Sequence, residues 1–146
     1  MRPRCALVLV AVAAAGCGGS DASRTATRAA GGERVVLNLK AGHPQTITAC
    51  GAAHHYTAFA SGARIEFAGT VTPVPQQRWK VKVKVKVCRS GAFVDLEKVD
   101  ATRDKHSGAF AGTLPSLARG NYFARAGLYI GGRQAARGDK AHFAVR

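Results

Sequence analysis

The residues of this chain that could do chemistry are few, and their spacing decides what each could do. Lys80, Lys82, Lys84 and Lys86 recur at every second position of the run 78–88, RWKVKVKVKVC. On a strand, alternate side chains share a face and repeat every ~6.7 Å, so the four ammonium groups form a straight row about 20 Å long. Such a row attracts polyanions, and the attraction falls as salt rises. The same pattern has a plainer use, since Lys on the outer face keeps a Val-rich strand soluble and discourages edge pairing. Nucleic acid is not expected as a partner. A single-strand site sets exposed aromatics beside its cations, and Trp79 falls on the Val face of this run, with the core. Five histidines, His43, His54, His55, His106 and His142, are the next candidates. His54 and His55 near Cys50 suggest a small-ligand or metal site as the alternative function. Adjacent strand residues face opposite ways, however, and the spacing matches no zinc or copper pattern, so no metal and no cofactor are expected. Asp95 and Glu97 lie two apart, as a carboxylate pair on one strand face would, but the Lys row opposite makes cross-strand ion pairing their expected role. No nucleophile elbow, phosphate-binding loop or nucleophile–base spacing occurs, and Ser90 and Ser116 sit in turns. The chain is therefore read as non-catalytic, and a hydrolase would have no nucleophile to name.

The elements that must hold these residues are strands. Apolar or alternating runs cover 34–39, 45–50, 63–71, 78–88, 92–99, 108–114, 121–130 and 140–145, with Gly or Pro between them. Gly42-His43-Pro44 separates the first two runs, and Arg89-Ser90-Gly91 turns 78–88 back into 92–99 as a hairpin. Regular strand spacing without a convincing amphipathic helix predicts an all-β sandwich of about 7–8 strands over residues 33–146. Arg133 and Arg137 read as loop residues. With 146 residues, 47% of them hydrophobic, the chain is too short for a multidomain enzyme and too apolar to be disordered. The 22 basic and 8 acidic side chains give a formal charge of +14.

The N-terminus reads as an address. Arg2 and Arg4 precede the uncharged stretch 5–15, CALVLVAVAAA. Eleven residues are too few for a membrane span, which needs about 20, but they suit a signal-peptide core. The stretch ends in Ala14-Ala15-Gly16-Cys17, which resembles the lipobox of bacterial lipoproteins. That resemblance implies cleavage after a signal peptide of residues 1–16, lipidation of Cys17 and an extracytoplasmic protein anchored to the bacterial cell membrane through lipid. Cleavage by an ordinary signal peptidase is the competing reading. Residues 17–32 carry Gly, Ser, Thr and Ala with no apolar face, and read as a flexible tether. With Cys5 lost in the signal and Cys17 lipidated, Cys50 and Cys88 remain as an even pair in an oxidising compartment. A disulfide stapling 45–61 onto the sandwich is the expectation, with two free buried cysteines as the alternative.

Leu117-Ala118-Arg119-Gly120-Asn121-Tyr122 fits L-x-x-G-x-Y. It resembles the tyrosine corner of immunoglobulin-like and fibronectin type III domains, and the resemblance assigns the motif positions to Leu117, Gly120 and Tyr122. Gly69–Pro73, Ser107–Phe110 and Gly120–Ala126 are also similar to immunoglobulin-like modules of bacterial surface proteins. The likeness covers residues 62–146; the segment 33–61 fits it poorly. It implies a single immunoglobulin-like β-sandwich used as a surface binding or spacer module. Joined to the Lys row, it leads to an envelope lipoprotein whose basic sheet face, Lys80 to Lys86, contacts anionic envelope polymers. No partner protein can be named.

Overall fold

A computed structural model describes residues 32–146. The expected signal peptide, Cys17 and the expected tether up to residue 31 lie outside the described residues. The described chain is all β. Its strands are β1 (Arg34–Leu39), β2 (His43–Ala49), β3 (Ala52–Phe59), β4 (Glu66–Thr72), β5 (Trp79–Arg89), β6 (Ala92–Asp100), β7 (Thr102–Arg103), β8 (Ala109–Thr113), β9 (Gly120–Ile130), β10 (Arg133–Arg137) and β11 (Ala141–Val145). They form two sheets. The smaller has the order β1-β4-β8-β7; the larger has the order β2-β3-β11-β9-β5-β6, with β10 paired to β9 beside it.

The alternation of β5 builds the core between the sheets. Trp79, Val81, Val83, Val85 and Val87 are buried, together with Ala124, Ala126 and Leu128 of β9 and Phe143 and Val145 of β11. They pack against Val35, Phe67, Val71 and Phe110 of the smaller sheet. Complete burial of a Val or Leu side chain contributes about 1.5–3 kcal/mol, so this shared face is the main source of stability. Because side chains alternate, burying the Val face commits Lys80 to Lys86 to the outer face of the larger sheet.

There are eleven strands among the described residues, against the expected 7–8, and the three extra ones have distinct causes. β3 is flanked by β2 and by β11, to which it runs parallel. Pairing on both edges and burial of Tyr56, Ala58 and Phe59 set it as a strand despite a run, AAHHYTAF, with no clear alternation. β10 returns along β9 through Gly131 and Gly132, both with positive φ, the conformation a two-residue hairpin turn demands. Arg133 and Arg137 are therefore strand residues rather than loop residues. β7 is a two-residue strand at the edge of the smaller sheet. Pro44 does not break β2, which begins at His43, because β2 is an edge strand where the missing N–H faces no partner.

Candidate anion-binding groove

Pairing register gathers the cations. Directly opposed residues of antiparallel strands project to the same side. On β9, Tyr129, Gly127, Arg125 and Phe123 stand opposite Lys80, Lys82, Lys84 and Lys86. On the other flank Lys98 of β6 stands opposite Lys84. Ala141 of β11 is opposite Ala124, which brings Lys140, one residue earlier, level with Arg125. Lys98, Lys84, Arg125 and Lys140 thus form a cross-strand row of like charge, an arrangement that costs stability without a counter-ion. Arg137 of β10 lies opposite Gly127. These groups line a groove of about 450 Å³ whose walls carry Lys82, Lys84, Lys86, Lys98, Arg125, Arg137 and Lys140, and whose floor includes Phe93, Phe123, Tyr129 and Gly127.

The Lys row is partly neutralised within the protein. Lys84 Nζ lies 2.7 Å and Lys86 Nζ 2.9 Å from the two oxygens of Asp95, and Lys82 Nζ lies 3.6 Å from Asp100. Hydrogen bonds from Lys84 and then Lys86 hold the Asp95 carboxyl below its usual range. Asp95 therefore takes the ion-pairing role expected of it. Glu97 does not join it on that face, because a bulge skips Leu96 and sets Asp95 opposite Lys86 but Glu97 opposite Val85. Lys80, at the exposed end of the row, lies outside the groove lining and has no ion pair among the described residues. Trp79 lies in the core, 2% exposed, as its place on the Val face implied.

Lys98, Arg125, Arg137 and Lys140 form no ion pair among the described residues. Arg125 is half-buried, and its Nε is buried with no hydrogen-bond partner. Burial first, and Arg137 next, hold its guanidinium below the ordinary range, and Asp139 opposes them. Lys140 Nζ sits over the Phe123 ring, 5.0 Å from its centroid. From sequence, Arg137 reads as a loop residue, and no binding role is assigned to Lys98, Arg125 or Lys140. Arg125 shares the two-residue spacing of Phe123, Gly127 and Tyr129, which is a signal, but only the register of β9 on β5 shows that this face meets the Lys row.

Beyond the Lys86 end of the groove lies a disulfide. Cys50 and Cys88 are bonded, with Cα atoms 5.8 Å apart. Cys88 lies two residues beyond Lys86 and so on the same face. Two strands separate β3 from β5 in the sheet, a distance of about 14 Å if flat. The tip of the β2–β3 hairpin therefore bends across the outer face, with Ile47, Ala49, Tyr56, Ala144 and Cys88 packed beneath it. An aromatic cluster fills the space beside it. His142 stacks on His54 with ring centroids 3.9 Å apart, and Tyr56, Phe93 and Phe123 close around it at 5.3–5.7 Å. Burial, then the neighbouring His54, Lys140 and Arg125, push the His142 pKa down to about 4. His54 and His55 do not come together. His54 joins this stack, whereas the exposed His55 faces the opposite way, its Nδ1 3.5 Å from Thr46 Oγ1. Among the described residues no three His, Cys, Asp or Glu side chains form a metal-binding group.

At the other motif, Tyr122 Oη donates a 2.6 Å hydrogen bond to the carbonyl of Ala118. Leu117 packs at the margin of the core, and a Cβ on Gly120 would press on the Tyr122 ring at 3.2 Å. No protein-family model and no curated protein matches this chain.

Proposed function

We propose that this chain is a non-catalytic envelope module, anchored through lipid on Cys17, whose sandwich offers a basic groove to anionic polymers of the cell envelope. The observation that carries the reading is the concentration of seven Lys and Arg side chains around one groove on the outer face of the larger sheet. A surface designed only for solubility intersperses charges of both signs, whereas this one leaves four of the seven without a carboxylate. A lipid anchor would hold the groove at the envelope surface, where anionic polymers are at high local concentration. An immunoglobulin-like type is supported by two sheets sharing one core and by the Tyr122–Ala118 bond. The parallel β3–β11 pair and the Cys50–Cys88 bridge would be additions to that plan.

The test uses the full chain, disulfide oxidised, purified in uncharged detergent. Its binding to immobilised polyphosphate and polygalacturonate is measured at low and at high salt, beside Lys82→Gln/Lys84→Gln/Lys86→Gln. The expected result is binding at low salt, release at high salt and clear weakening in the triple variant, which also leaves Asp95 and Asp100 facing the polymer unpaired. Equal behaviour of both proteins would overturn the reading and leave the row as a solubility device.

A further inference from the structure

The groove has an uneven charge distribution. Along the β5–β6 side, Asp95 and Asp100 already occupy the ammonium groups of Lys82, Lys84 and Lys86. Along the β9–β10–β11 side no ion pair answers Arg125, Arg137 and Lys140 among the described residues, and the exposed Asp139 acts on Arg125 only beyond ion-pair distance. Register sets Lys140 level with Arg125, and Arg137 opposite Gly127, two residues further along the same face. Two residues of strand span ~6.7 Å, which long Arg and Lys side chains bridge easily. Gly127 places no side chain between Lys82 and Arg137, so the floor there stays open; a Cβ would meet Gln134 and Tyr129 at 3.3 Å. At the centre, a buried guanidinium Nε is left without a partner. Buried polar atoms in native structures almost always have a hydrogen-bond acceptor, so an orphaned donor at the wall of a cationic groove points to a ligand atom.

We infer that Arg125, Arg137 and Lys140 form a discrete oxyanion seat for a phosphate group carried on the groove's ligand, and that the Lys row serves as a weaker flanking track. The inference rests on the polyanion reading and deepens it. Arg presents a planar fork that pairs two oxygens at once, and Lys adds a third donor from another direction. Three converging cations suit a tetrahedral phosphate, which offers oxygens on several sides and up to two charges. A carboxylate offers two oxygens in one plane and one charge, which leaves part of the seat unanswered. Phosphate-bearing envelope polymers and phospholipid headgroups share this chemistry.

The experiment compares tripolyphosphate with trigalacturonate as soluble probes at equal ionic strength. It uses the full chain in uncharged detergent, and follows affinity by calorimetry and the Arg Nε–H resonances by NMR. Arg137 and Lys140 are both exposed, so Arg137→Gln/Lys140→Gln is expected to fold normally. The wild type should bind tripolyphosphate at least tenfold more tightly than trigalacturonate, with the Arg125 Nε–H signal moving on saturation. The double variant should lose tenfold or more of the tripolyphosphate affinity, and Lys82→Gln/Lys84→Gln/Lys86→Gln should lose less. Arg125→Lys, which keeps the charge and loses the fork, should also erase the preference for phosphate. Phosphate-bearing vesicles that bind while a soluble phosphate polymer does not would assign the seat to headgroups; the reverse would assign it to polymers, and either supports it. If the Lys triple variant loses binding and Arg137→Gln/Lys140→Gln does not, the seat is wrong while the polyanion reading stands. Equal affinity for the two probes overturns the phosphate assignment. No binding by the wild type to either probe or to phosphate-bearing vesicles overturns the groove reading as a whole.

Discussion

Acidification should loosen this protein through His142. His142 lies on β11 among His54, Tyr56, Phe93 and Phe123, with Lys140 and Arg125 close by, and its Nδ1 is buried without a partner. Burial and these cations lower its pKa to about 4, against 6.5 for an unperturbed histidine. The native state therefore keeps the ring neutral, while the unfolded chain binds a proton below about pH 6.5. Between those values the unfolded state binds more protons, so stability falls as the pH falls, and the loss is complete below about pH 4. On a fully buried ring a shift of this size would correspond to about 3 kcal/mol; this ring is only half-buried, solvent screening reduces the effect, and a loss of about 1 kcal/mol between pH 7 and pH 5 is expected. With a urea m-value of roughly 1–2 kcal/mol/M for a domain of this size, the midpoint should drop by about 0.5–1 M. The comparison protein is His142→Phe, which keeps an aromatic ring in the stack and removes the titration. Urea unfolding at pH 7, 6 and 5 should show the wild type losing about 1 kcal/mol more than the variant. Parallel losses in the two proteins would refute the assignment and place the titrating group elsewhere.

Two further outcomes follow from the same structure. Cys50→Ala/Cys88→Ala opens a loop closed across a separation of 38 residues, and chain entropy sets the cost at about 4 kcal/mol. Hydrogen exchange should report the loosening first in β2 and β3, and unchanged protection there would show that the hairpin tip stays down without the bond. Tyr122→Phe removes the hydroxyl bonded to Ala118 while keeping the buried ring, and should cost about 1 kcal/mol in urea unfolding. An unaltered midpoint would mean that the corner is held by ring packing alone.

Much of the fold was legible because β5 alternates without interruption. One buried Val face fixes the side on which four Lys must stand, and no other packing of that run hides its Val residues from water. Trp79 in the core, the β5–β6 hairpin at Ser90–Gly91 and the pairing of Cys50 with Cys88 follow from local pattern and cysteine count. β3 was not legible, because the Ala- and His-rich run 52–59 carries little apolar contrast, and its pairing with β2 and β11 is a relation between strands. β10 carried its signal in Gly131–Gly132 rather than in its side chains. Asp95 could be matched with the Lys row from sequence, but its separation from Glu97 depends on a bulge that no composition encodes.

The sequence by itself determined an all-β domain with a basic strand face, because side-chain alternation is a property of the chain and needs no neighbour. Only the tertiary structure decided where free positive charge lies on that face. Arg125 lies on β9, Arg137 on β10 and Lys140 just before β11, and hydrogen-bond register, a relation between strands, brings them into one groove. The same register gave Lys82, Lys84 and Lys86, three of the four in the row, carboxylate partners in Asp95 and Asp100. A charge row can be read from spacing; whether it is already paired depends on what the fold sets opposite it.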